Sequence, residues 1–175
     1  MSTDQATAEA ARTNAEDQAR HPLVRAAADI ADRAHRGQVD KLGKAYIDHP
    51  ATVAATLTSQ GHPAPVIAAG WLHDVVEDTD WTLGDLAAEL SGAGTPDQVA
   101  DTLRLVALLT HQRGEPRVDY YLRIATSEQA VTVKAADIAH NTSPERMDAL
   151  DERTRERLTA KYRAARTALG LALTD

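Results

Sequence analysis

Cysteine is absent from the 175 residues, so disulfide scaffolds, thiolate zinc sites and cysteine nucleophiles are excluded. Phenylalanine is also absent and aromatics total 3%, which leaves little material for a base-stacking platform. Basic charge is in deficit: 19 Lys and Arg face 26 Asp and Glu, a net charge of −7. Nucleic-acid binding rests on a basic surface, so it is disfavoured here. No apolar run approaches the ~20 residues of a membrane span. The polar opening MSTDQATAEA does not read as a signal peptide. The expectation is a cytoplasmic protein that binds neither nucleic acid nor membrane; oligomeric state is not readable. Strand signals are nearly missing, since no stretch alternates Val, Ile, Thr and aromatics.

What is present is alanine, about a fifth of the chain and the best helix former. Hydrophobic residues at 43% and charged residues at 26% describe a globular chain of one domain. Proline and glycine punctuate a succession of helices. Pro22 opens one with Leu23, Ala27, Ile30 and Ala34 at helical spacing, stopping near Gly37. A loop follows from Gln38 to Asp48. Further helices are expected over Pro50–Gly61, Pro65–Asp78, Thr82–Gly92, Pro96–Thr110, Pro116–Thr126, Glu128–Thr142 and Asp151–Leu171. Thr82 with Asp85 resembles a capping box. The fold class is all-α, a single bundle of about eight helices over residues 21–175. Residues 1–20 lack a greasy stripe and are expected to form a mobile extension.

The string WLHDVVEDTD carries the densest chemistry. With His73 at zero on a helical wheel, Glu77 falls near ~40°, Asp74 near ~100° and Asp78 near ~140°. Leu72, Val75 and Val76 take the opposite arc. A solvated acidic face would suffice for an arbitrary charge cluster. Here the flanks are strongly apolar, and carboxylates this close repel one another unless a positive charge sits between them. A divalent cation supplies that charge. Lys134, Asp137 and Asn141 form a second polar stripe on their helix, whose bland reading is an exposed Lys134–Asp137 pair. Mid-helix Asp137 among Ala and Ile is costly to bury without a partner. His49 precedes Pro50 at a helix start.

Four segments occur in order: HRGQ (His35–Gln38), YIDHP (Tyr46–Pro50), HDVVEDT (His73–Thr79) and KAADIAHN (Lys134–Asn141). Together they resemble the HD-domain metal-dependent phosphohydrolases. More narrowly they are similar to the hydrolase domain of the RelA/SpoT family and its small stand-alone relatives, over residues 23–168. The resemblance implies metal ligands at His49, His73, Asp74 and Asp137, usually for manganese. Imidazole plus carboxylate without thiolate suits such an ion. It implies a catalytic acidic pair at Glu77 and Asp78, and nucleotide contacts at Lys41 and Asn141. Arg36, Lys44 and Lys134 are further candidates for gripping an anionic substrate. The implied reaction is metal-assisted removal of the 3′-pyrophosphate from guanosine tetra- or pentaphosphate, without an alarmone synthetase region.

The chain departs from the family pattern at Asp40, where an Arg that packs on the base is common, and at Ala45, Ile138, Thr142 and Ser143. A carboxylate at position 40 cannot stack and repels phosphate. Two alternatives therefore stand beside the alarmone hydrolase. One is an HD hydrolase of another nucleotide or phosphoester; the other is a non-catalytic HD-fold nucleotide-binding module.

The remaining residues take structural readings. Trp71 and Trp81 pack, Tyr120 and Tyr121 anchor a helix, and His111 to Arg113 form a solvated loop. His140 falls near ~180°, away from the ligand stripe, and is read as structural. His21, His35 and His62 carry no signal. The Arg-rich final helix, Lys161 included, reads as a solvated face.

Overall fold

The structure is a computed structural model and describes residues 13–172. After a helical stretch over residues 13–20, ten helices follow. They are α1 (Pro22–Ala34), α2 (Asp48–Ser59), α3 (Ala64–Leu72), α4 (Val75–Asp78) and α5 (Leu83–Leu90). Then come α6 (Pro96–Leu109), α7 (Arg117–Ala125), α8 (Glu128–Asn141), α9 (Pro144–Asp148) and α10 (Glu152–Ala168). Among the described residues there is no strand, only an isolated antiparallel bridge between Val39 and Ala45. The fold is all-α, as expected. The expected mobile extension lies in part on residues 1–12, outside the described ones.

α3 is the axis of the bundle. Its sequence APVIAAGWL is apolar on every side, so it must be enclosed, and α1, α2, α6 and α8 pack around it. Its Ala and Gly let neighbours come close. A Cβ on Gly70 would lie 2.6 Å from the buried Leu57 Cδ1 and 3.4 Å from the Ala54 Cα of α2. That approach brings His49, in the first turn of α2, against the C-terminal end of α3, where His73 stands. Capping boxes at Thr82/Asp85 and Thr95/Gln98 fix the starts of α5 and α6.

Two differences explain ten helices against about eight. The expected Pro65–Asp78 helix is interrupted: α3 ends at Leu72 and α4 begins at Val75. The His73 Nδ1–H donates to the Gly70 carbonyl at 2.8 Å, an acceptor that a continuing helix would give to the Asp74 backbone. Asp74 relaxes to φ −101°, ψ −8°, so the chain pauses without reversing, and Asp78 N still donates to Asp74 O. Helix α9 has five residues, too few to display a period.

Residues 38–46 form a small hairpin. Asp40 N donates to Lys44 O, Gly43 N to Asp40 O, and Tyr46 N to Gln38 O. Gly43 takes φ +76°, which glycine adopts without a Cβ clash. The hairpin carries Asp40, Lys41 and Leu42 to the wall of a cavity and leaves Tyr46 at its base.

Candidate metal centre and cavity

α2 delivers His49, the α3–α4 junction delivers His73 and Asp74, and α8 delivers Asp137. His49 Nε2 lies 3.2 Å from His73 Nε2, 3.4 Å from Asp74 Oδ2 and 3.2 Å from Asp137 Oδ1. His73 Nε2 lies 3.1 Å from Asp74 Oδ2 and 3.9 Å from Asp137 Oδ1. Ligand atoms of His49, His73 and Asp74 all fall within 4.8 Å of one another. His49, His73 and Asp137 are buried. The second nitrogen of each imidazole is already engaged: His73 Nδ1 with Gly70 O, His49 Nδ1 with His140 Nδ1 at 2.7 Å. Both Nε2 atoms are thereby aimed at one point between two carboxylates. Such outer partners fix tautomer and ring orientation in metal sites, so the residues fit a divalent cation.

The electrostatics agree. Burial works to lower the pKa of both imidazoles, yet Asp137 and Asp74 outweigh it. His49 rises to about 9, and His73 is raised too, chiefly by Asp74. Burial opposes ionisation of Asp74 as well, but His73 and His49 hold its carboxyl well below the usual range. The site thus draws positive charge, which protons or a cation can supply. Lys134 Nζ lies 2.8 Å from Asp137 Oδ2, both side chains nearly buried, and Asn141 Nδ2 donates to Oδ1 at 2.5 Å. The Lys134–Asp137 pair is therefore enclosed, unlike the exposed surface pair considered from sequence.

The acidic pair flanks this group. Tyr46 OH lies 2.6 Å from Asp74 Oδ2 and 3.0 Å from Asp78 Oδ2, its one proton shared between them. Burial, then the charge of Asp74, raises the Asp78 pKa. Glu77 Oε2 accepts from His111 N at 2.9 Å. The loop from His111 to Arg113 is solvated at Gln112 and Arg113, but His111 is half-buried and lines the cavity, its backbone N–H binding Glu77 and its Nε2 bonding Glu115 O.

A cavity of about 430 Å³ opens from this centre. Its lining includes His49, Asp74, Glu77, Asp78, Lys134, Asp137 and Asn141, and also Lys41, Arg117, Arg146 and Lys161. Lys41, Arg117 and Lys161 have no ion-pair partner among the described residues. Burial, then Arg117 and Lys134, pulls the Lys161 ammonium down. The final helix is thus not wholly a solvated face: Leu158, Tyr162 and Ala165 turn it inward, and Lys161 borders the cavity. Arg36 is absent from the lining; it is exposed and pairs with Asp32 at 3.5 Å. Lys44 is exposed and pairs with Glu145 at 3.2 Å.

His140 was missed. It stacks on His49 at an interplanar angle of 17°. The usable signal was its place three residues after Asp137, the spacing of neighbours on one helix surface. Tyr120 is an anchor, as read: it is buried and its hydroxyl donates to Leu109 O at 2.6 Å. Trp71 and Trp81 pack against the core.

A family model described as the HD domain matches residues 27–143. The chain belongs to the HD-domain family. Membership implies a divalent cation, and the His/Asp group is of the kind that holds one. This HD domain is 35% identical over 147 residues to a Synechocystis protein named probable guanosine-3′,5′-bis(diphosphate) 3′-pyrophosphohydrolase, covering 82% of this chain and 19% of that one. It is 34% identical over 116 residues to a Haemophilus influenzae protein of the same activity name, covering 64% and 17%. It is also 32% identical over 120 residues to a Mycobacterium leprae protein named probable GTP pyrophosphokinase, covering 68% and 15%. The chain spans less than a fifth of the length of each. Among the described residues, no helix is long and apolar enough to cross a membrane.

Proposed function

We propose that this HD-domain protein is a metal-dependent phosphohydrolase that removes the 3′-pyrophosphate from guanosine tetra- or pentaphosphate. The observation that carries this reading is the two-poled cavity. One end gathers imidazoles and carboxylates around a point suited to a cation; the wall carries Lys41, Arg117 and Lys161, which have no carboxylate partner among the described residues. A chain of net charge −7 that places free cations in a cavity favours a polyanion, and one phosphorylated at two positions spans both poles. The names of the Synechocystis and Haemophilus influenzae relatives support the same substrate.

His49, His73, Asp74 and Asp137 hold the cation, with Mn2+ the favoured ion. When bound it supplies Lewis acidity toward water and a phosphoryl oxygen. Glu77, pinned by His111, orients the attacking water. Asp78 takes the water's proton, a role its raised pKa suits, and returns it to the leaving oxygen. Tyr46 steadies Asp74 and Asp78 together. Lys134 keeps the Asp137 carboxyl ionised, Asn141 fixes its Oδ1, and the cationic wall holds the phosphates that do not react. Water and guanosine tetraphosphate give GDP and pyrophosphate, in the cytoplasm where such nucleotides occur.

The test is incubation of purified protein and Mn2+ with guanosine tetraphosphate, followed by chromatography. Stoichiometric GDP and pyrophosphate are expected. An intact substrate alongside turnover of other nucleotides makes this an HD hydrolase of different specificity. No turnover of any nucleotide, with nucleotide-dependent thermal stabilisation, makes it a binding module.

A further inference from the structure

Asp40 looked from sequence like a charge hostile to phosphate. In the fold its charge is spent locally. Oδ1 accepts from Leu42 N at 2.9 Å and Lys44 N at 3.0 Å, and Oδ2 faces Arg146 Nη1 at 2.9 Å. Burial opposes ionisation, but these backbone N–H groups and Arg146 hold the carboxyl below its usual range. Beside this pair runs a second of the opposite sense, Lys44 with Glu145. Two adjacent ion pairs therefore seam the hairpin tip to α9, the Asp40–Arg146 pair on the cavity wall and the Lys44–Glu145 pair on the outside.

The seam has a consequence for the ligand. Arg146 keeps only 18% of its side chain exposed and lines the cavity, and among the described residues its guanidinium has no ion-pair partner besides Asp40. A guanidinium gripped at one nitrogen keeps its planar faces and remaining N–H groups free. The same lining holds aliphatic side chains close to this pair in sequence: Val39 and Leu42 on either side of Asp40 and Lys41 in the hairpin, and Leu150 one turn beyond Arg146. A flat cation in a lining that also carries aliphatic side chains fits a flat, polar-edged heterocycle better than a phosphate, for which Lys41, Arg117 and Lys161 are already present.

We propose that Arg146 reads the nucleobase of the substrate and that Asp40 is its positioning residue. The inference rests on the reading of the cavity as a nucleotide site, and it does not require that the nucleotide be an alarmone.

The experiment is calorimetric titration, with Mn2+ present, of GDP and of inorganic pyrophosphate, which has no base. Wild type, Arg146→Ala, Arg146→Lys and Asp40→Asn are compared. Arg146→Ala is expected to weaken GDP about 5- to 30-fold, the range of a desolvated cation–π contact, with pyrophosphate unchanged. Arg146→Lys keeps the charge but not the plane and is expected to lose GDP affinity as well. Asp40→Asn retains an oxygen for the two backbone donors, so its melting temperature should hold while GDP alone weakens. Equal loss of GDP and pyrophosphate, unchanged GDP affinity in Arg146→Ala, or a wild type that does not bind GDP each overturns the base-reading role. Unchanged GDP affinity in Asp40→Asn overturns the positioning role. A protein that ignores guanosine tetraphosphate yet shows the selective GDP loss refutes the proposed substrate while sustaining this inference.

Discussion

His140 Nδ1 lies 2.7 Å from His49 Nδ1, with the two imidazole rings nearly parallel. One proton joins two nitrogens. Burial, then the nearby His49, pushes His140 down to about 4, so His140 is neutral at pH 7. It serves as acceptor for His49 Nδ1–H and leaves His49 Nε2 as the nitrogen that faces Asp74 and Asp137, protonated without a cation and free to give up that proton to one. His140→Ala removes that acceptor without touching a proposed ligand. Affinity for Mn2+ is expected to fall about 10- to 100-fold, as for other outer partners of metal-binding histidines. Titration followed by electron paramagnetic resonance reads this directly, and wild-type affinity in the variant would remove His140 from the site's architecture.

Gly70 sets the spacing between α2 and α3, and hence between His49 and His73. Its missing Cβ would meet Leu57 Cδ1 at 2.6 Å, and Leu57 is wholly buried. Gly70→Ala gains helix propensity yet overpacks the core. The expected balance is a loss of about 1–3 kcal/mol, read by denaturant unfolding. A stabilised variant would mean the α2–α3 contact has slack.

How much of this was legible depended on periodicity. The Lys134, Asp137 and Asn141 stripe could be read because α8 is long and its polar positions recur. His140 fell outside because the wheel was cut to a narrow stripe, although an imidazole reaches sideways to α2. The pause at His73 carries no proline or adjacent glycine to announce it; its cause is a side chain bonding the Gly70 carbonyl, a contact invisible to spacing. Arg146 sits on a five-residue helix without a period, and its partner Asp40 is 106 positions away. Lys161 belongs to an Arg-rich helix whose first turns alternate with Glu and so looked solvated, although the Leu158, Tyr162 and Ala165 stripe beside it marks an inward face.

Arg123 organises the loop that holds Glu77. Its guanidinium donates to the carbonyls of Ala107, Leu108 and Thr110 at 2.7–2.9 Å, capping the C-terminal end of α6, and it pairs with Glu115 at 2.8 Å. Arg123→Ala leaves those carbonyls to find other donors and is expected to cost about 2 kcal/mol. The pair also gives an acid signature. Arg123, with the Gln112 backbone N–H, lowers Glu115 from 4.5 to about 2. A depressed folded-state pKa contributes stability present above pH 4.5 and lost as pH falls toward 2. The stability gap between wild type and Arg123→Ala should therefore narrow across that window. Thermal melts at stepped pH check it; a gap constant with pH would show that Glu115 adds nothing.

In the proposed mechanism metal holding and proton transfer fall on different residues, so they can be separated. Asp74 lies 3.4 Å from His49 Nε2 and 3.1 Å from His73 Nε2, whereas Asp78 contacts Tyr46 and stands outside that cluster. Asp74→Asn removes a charged ligand: it is expected to abolish turnover and weaken Mn2+ with little change in helical circular dichroism. Asp78→Asn keeps the Tyr46 contact through its amide oxygen but cannot accept a proton. Its turnover should fall about 100- to 10,000-fold with Mn2+ affinity near wild type. Chelation with EDTA should silence the wild type, and Mn2+ should restore it. If Asp78→Asn instead loses Mn2+ in step with activity, Asp78 is a ligand and the proton must go elsewhere, with Glu77 next in reach of the cavity.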